Sequence, residues 1–91
     1  MDFMSAEDGQ VIGKPDPEVL RIASDAARVL VSHDRRTMLG HFAKFIEGRS
    51  SPGVIIVSQA LDVGSAIEEL LLIWATTDAS EWVNGIGFLP I

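Results

Sequence analysis

The chain predicts an α/β fold, a three-layer Rossmann-like domain around a short, mainly parallel sheet. Two apolar runs without polar alternation, Val29-Leu30-Val31-Ser32 and Val54-Ile55-Ile56-Val57, have the character of strands covered on both faces. Segments whose apolar residues recur at helical spacing lie between and after them. The resulting order, β-α-β-α-β-α-β, is that of a parallel sheet joined by right-handed crossovers.

Residues 2–5 read as a short first strand, followed by a polar loop from Glu7 to Lys14. Asp16-Pro17-Glu18 then combines an Asx cap, a proline at the first helical position and an acid in the first turn. The spacing predicts a helix over 17–27 with Val19, Leu20, Ile22, Ala23, Ala26 and Ala27 inward. The strand beginning at Val29 runs into Ser32-His33-Asp34-Arg35-Arg36, so an apolar run ends abruptly in a carboxylate flanked by bases. Thr37 is placed to cap a second helix reaching Glu47, with Leu39, Phe42, Ala43 and Ile46 inward. Gly48 to Gly53 is a loop by composition, and Val54 to Val57 the next strand. A third helix is predicted from Val63 to Thr76 or Thr77. Its Leu70-Leu71-Leu72-Ile73-Trp74 is apolar nearly all round, which calls for cover on more than one side. A short helix at Glu81-Trp82-Val83 and a last strand from Ile86 to Leu89 complete the reading.

At 91 residues the chain is a single domain, 1–91, near the size where one core only just suffices. An apolar share of 47% is high for that length, so either the core is dense or a partner covers apolar surface. There is no cysteine, which excludes disulfides and thiolate metal sites and fits a reducing cytoplasm. The first residues lack a basic, then apolar, leader, and the longest apolar run, Leu70 to Ala75, is far too short to span a bilayer. A cytoplasmic protein without a membrane partner is therefore expected. The net charge is -6, and its distribution is lopsided. All seven Lys and Arg lie between Lys14 and Arg49, whereas residues 50–91 contain Asp62, Glu68, Glu69, Asp78 and Glu81 and no base. Such a total argues against binding nucleic acid by bulk attraction, yet permits divalent cations to bridge carboxylates to phosphate.

The loop entering the first helix leaves the carboxyl edge of the preceding strand, and Asp34 ends the next strand at that same edge. Asp16 and Asp34 can therefore converge, and paired carboxylates are suited to Mg²⁺ or Mn²⁺. The plainer reading makes Asp16 only a helix cap, worth about 1 kcal/mol, and Asp34 only a turn residue. Arg35 and Arg36 sit where they can meet phosphate. His33 points away from Asp34 by strand alternation, and His41 lies near the polar face of the second helix. No nucleotide-binding glycine loop is present, and Trp74 and Trp82 suit core packing or a partner face.

The block from Asp16 to Met38, Asp-Pro-Glu-Val-Leu followed by Arg-Val-Leu-Val-Ser-His-Asp-Arg-Arg-Thr-Met, resembles the core motif of a family of small PIN-like proteins related to the Mut7-C domain. Ser51 to Val57 is similar to that family's following strand, and Ile67-Glu68-Glu69-Leu70 to its C-terminal helix. The resemblance implies a PIN-like domain with Mg²⁺- or Mn²⁺-dependent endoribonuclease activity, often the toxin of a toxin-antitoxin pair. RNA is then the substrate and an antitoxin protein the partner. Asp16 and Asp34 carry over as catalytic and metal-holding positions, with Arg35 and Arg36 toward the substrate. Two features depart from the family pattern. Arg36 stands where a second acid often follows, and the family's opening Leu-Leu-Asp-Glu-Asn strand with its helices has no counterpart, as though the domain were truncated at its N-terminus. Without those parts the sheet is expected to have an unpaired edge and the surplus from Leu70 to Trp74 to face water, which implies a homo-oligomer. The alternative is a non-catalytic remnant of such a domain that oligomerises or binds a partner.

Overall fold

A computed structural model describes residues 1–6 and 11–90; residues 7–10 of the expected polar loop lie outside the described residues. The elements are β1 (Asp2–Ser5), α1 (Asp16–Asp25), β2 (Arg28–Ser32), α2 (Arg35–Gly48), β3 (Val54–Val57), α3 (Val63–Thr76), a 3-10 turn (Ala79–Glu81) and β4 (Ile86–Leu89). All four strands are parallel, in the order β1-β2-β3-β4. The α/β class and the parallel sheet are thus as the patterning implies.

Alternation along the strands divides the core in two. Met4, Leu30, Val54 and Ile56 pack on one face with Val19, Leu20 and Ala23 of α1 and Met38 and Phe42 of α2. Val29, Ile55, Val57 and Leu89 pack on the other face with Ile73 of α3. β3 is buried along its whole length, which is why Val54 to Val57 tolerates no polar residue.

The strands advance in one direction, so crossovers of a single hand would put all three helices on one face. α1 and α2 do share a face, but α3 lies on the other. The third crossover therefore has the opposite hand from the first two, and the expectation of one hand throughout does not hold. Two apolar sheet faces demand cover, and α3 supplies it where the other helices cannot. One face is left with two helices and the other with one.

Helix boundaries correct several expectations. Pro15, at φ -65 and ψ 151, is the residue preceding α1, and Asp16 is its first helical residue with no capping bond from that cap position. α1 stops at Asp25 because Ala27 adopts φ 57. Ala26 and Ala27 consequently lie exposed rather than inward. The cap of α2 is Asp34, not Thr37: its carboxylate accepts from the Thr37 amide at 3.2 Å. Met38 and Phe42 form the buried stripe of α2, while Ala43 is exposed. The 3-10 turn precedes Trp82 and Val83 instead of including them. Trp82 packs into the α3-side core, and its indole N–H donates to Thr77 Oγ1 at 2.9 Å. Among the described residues no helix is long and apolar enough to cross a membrane.

Candidate active site at the carboxyl edge of the sheet

In a parallel sheet every strand delivers its last residue to the same edge, where helix N-termini also gather. Here that edge holds a cleft of about 840 Å³. β2 contributes Ser32 and the turn His33-Asp34-Arg35-Arg36, β3 contributes Ser58 and Gln59, β4 contributes Phe88, and the start of α1 contributes Asp16.

Asp34 is held by local chemistry. Ser32, buried at the end of β2, accepts the Asp34 amide on its hydroxyl at 3.1 Å, which fixes the backbone as the strand turns into α2. The Asp34 carboxylate then spans the first turn of α2, with Oδ1 accepting from the Thr37 amide and Oδ2 from the Thr37 hydroxyl. These two bonds, the hydroxyl first, hold the Asp34 carboxyl below its usual range; His41 adds a smaller charge effect in the same direction.

Asp16 reaches the same hydroxyl from the other helix, Thr37 Oγ1 to Asp16 Oδ2 at 2.9 Å. The two carboxylates expected to converge are thus brought together, although 18 sequence positions separate them, because α1 and α2 start at one edge and pack side by side. Asp16 is free to do this because the cap position of α1 falls on Pro15. A hydroxyl has a single proton and so donates to one carboxylate at a time. The other carboxylate oxygen then faces the Thr37 oxygen without a proton between them.

The bases flank this pair without neutralising it. Arg35 lies over the Phe88 ring, 5.1 Å from its centroid, and its amide donates to the His33 carbonyl at 3.2 Å. Among the described residues neither Arg35 nor Arg36 belongs to an ion pair. His33 is engaged with β3, its Nδ1 lying 3.1 Å from the Val57 carbonyl. A carbonyl only accepts, so that nitrogen is the protonated one, and the ring is not a partner of Asp34.

Thr37 and Ser32 are the positions holding the two carboxylates in place that the sequence reading missed. The signal for Thr37 was present as Asp34-x-x-Thr37, an acid three residues ahead of a hydroxyl at a helix start, which is a capping pattern with the acid as cap. Among the described residues no group of three or more His, Cys, Asp or Glu gathers as a metal site, and the carboxylates that line the cleft are those of Asp16 and Asp34. Such a pair fits a hard divalent ion that keeps most of its water. Comparison with protein-family models, with curated proteins and with solved structures finds no match.

Proposed function

We propose that the chain is a PIN-like, ribonuclease-family domain in which Asp16 and Asp34 hold Mg²⁺ or Mn²⁺ and Arg35 and Arg36 meet RNA phosphate. The observation that supports this most is the pairing of both carboxylates on one hydroxyl proton at the carboxyl edge of the sheet. A divalent ion bound there supplies positive charge to the phosphate and acidifies a water. The remaining work belongs to the chain's own residues. Thr37 keeps Asp34 ionised, Ser32 fixes its backbone, and Phe88 holds the Arg35 guanidinium at the mouth of the cleft. Arg suits the planar, bidentate contact that a phosphodiester offers. A cytoplasmic setting and an antitoxin partner belong to the same proposal, through the resemblance of Asp16 to Met38.

A second reading, a non-catalytic domain that binds a partner, draws on another observation. Both oxygens of Asp34 are used within the first turn of α2, which is a sufficient structural reason for an acid there. The two readings separate in one assay. Single-stranded RNA is incubated with Mn²⁺ and the wild type, Asp16→Asn or Asp34→Asn, each checked for folding by circular dichroism. Cleavage by the wild type that is lost in both folded variants is the expected result. Equal cleavage by wild type and variants removes the carboxylates from the mechanism, and a wild type that does not cleave leaves the second reading.

A further inference from the structure

Building on the ribonuclease reading, we propose that Phe88 is the platform on which an unpaired base of single-stranded RNA stacks, while Arg35 leaves the ring to meet the phosphate of that nucleotide. β4 carries Phe88 to the carboxyl edge, where it lines the same cleft as Asp16, Asp34, Arg35 and Arg36. In register it lies beside Ile56, so both side chains project from one face of the sheet. Ile56 is buried in the half of the core shared with α1 and α2. Phe88 is 41% exposed and, among the described residues, packs into neither half of the core. Core packing therefore does not account for an aromatic ring at this edge.

The face of the ring is covered by the Arg35 guanidinium, 5.1 Å from its centroid. A second contact of this kind, Arg49 at 5.4 Å from the centroid of Phe45, has different surroundings. Phe45 packs against the core, and Arg49 is tied to Asp25 at 2.8 Å and to Ser24 Oγ at 3.3 Å. Phe88 has no such packing and, among the described residues, Arg35 has no ion pair, so the Arg35 cover is the one that can be exchanged. A cation over an exposed ring shifts an equilibrium by about 2- to 5-fold. A stacked base shifts it by about 5- to 150-fold, and the released guanidinium gains a bidentate contact with phosphate. Both differences favour the nucleotide.

The chemistry beside the ring narrows the ligand. A flat cation meets the like charge of Arg35, and a neutral aromatic group gives that guanidinium nothing in exchange for the ring. A planar group that carries a phosphate satisfies both residues, and that is the make-up of a nucleotide. The cleft, at about 840 Å³, lies within the range of small-molecule sites, roughly 300–1,000 Å³. A base inside a duplex is stacked on both faces and cannot reach the ring, so the strand must be single. Purines offer the larger face and are expected to bind ahead of pyrimidines.

The test measures binding to the intact chain by fluorescence anisotropy, with EDTA present so that no metal-dependent cleavage occurs. The probes are a short labelled oligoadenylate and the same sugar-phosphate backbone without bases. The wild type is expected to bind the oligoadenylate about 5- to 150-fold more tightly than the backbone alone. Phe88→Leu keeps apolar bulk without a π face and should remove that preference, and Phe88→Trp should restore it, each checked for folding by circular dichroism. In the wild type, which needs no variant, the Phe88 ring protons should move upfield in the NMR spectrum as oligoadenylate saturates the chain. Equal affinity for the two probes, or ring protons that do not move, overturns the proposal. So does a preference for bases that survives Phe88→Leu, which would put the base elsewhere. Failure of the wild type to bind either probe overturns both this role and the RNA reading. A base preference in a strand that is not cleaved with Mn²⁺ upholds the platform and removes the nuclease activity, whereas cleavage without a base preference does the reverse.

Discussion

Replacing Thr37 by Val retains the shape of the side chain and removes the proton that Asp16 and Asp34 share. A hydrogen bond to a charged group contributes roughly 1.5–3 kcal/mol when shielded from water. Thr37 and Asp34 are exposed, so that figure falls to about 1 kcal/mol after solvent screening. Against a total of about 5–14 kcal/mol for a domain of this length, such a loss is readily measured by urea unfolding. The pH dependence gives the sharper test. The carboxyl of Asp34 is depressed in the folded chain, so its contribution is present above the unfolded value and disappears as pH falls through the folded one. The gap between wild type and Thr37→Val should hold from pH 7 to about 5 and narrow below about pH 4. A carboxyl titration followed by NMR should also show Asp34 moving upward in the variant. A gap that is the same at pH 3 and pH 7, with an unmoved Asp34, would refute the assignment of Thr37.

Other consequences concern the scaffold that positions the site. Gly53 has φ 120, and a Cβ there would lie 2.5 Å from the Trp82 carbonyl oxygen, so Gly53→Ala should cost about 3 kcal/mol in chemical unfolding; a near-neutral result would mean that the turn before β3 is built differently. Ala27→Gly relieves a left-handed alanine and should stabilise by up to about 1 kcal/mol, whereas a loss would contradict the way α1 ends. Leu30→Ala, at a position with no exposed surface between Met4 and Val54, should lose about 2–5 kcal/mol; a smaller loss would show that the α1 and α2 side of the core collapses around the gap.

Much of this was legible in the amino acids. Unalternating Val-Ile runs imply doubly covered parallel strands, and that edge rule alone brought Asp16 and Asp34 to one place. What was not legible depended on tertiary context. Whether Asp16 or Pro15 caps α1 is decided by a one-residue shift in the helix start, and propensity favours Asp at the cap. Ending α1 at Asp25 requires Ala27 in a conformation that its type disfavours, so no local signal marked it. Nothing in the third helix declares which sheet face it will take. Its all-round apolar surface is compatible with either, and that ambiguity is the reason the hand of the last crossover was not foreseen. The resemblance led to the expectation that the surplus from Leu70 to Trp74 faces water; Leu71, Leu72 and Trp74 are each more than half exposed, whereas Leu70 is partly buried and Ile73 is buried.

The central claim is that two carboxylates from separate helices form one divalent-cation site. It is tested most directly by titrating isotope-labelled protein with Mn²⁺ and recording paramagnetic broadening of backbone amides. Broadening confined at first to Asp16, Asp34, Thr37 and their neighbours, and abolished by Asp34→Asn, is the expected result. Broadening that begins in the acidic stretch from Asp62 to Glu81, or that is unchanged in Asp34→Asn, would contradict it.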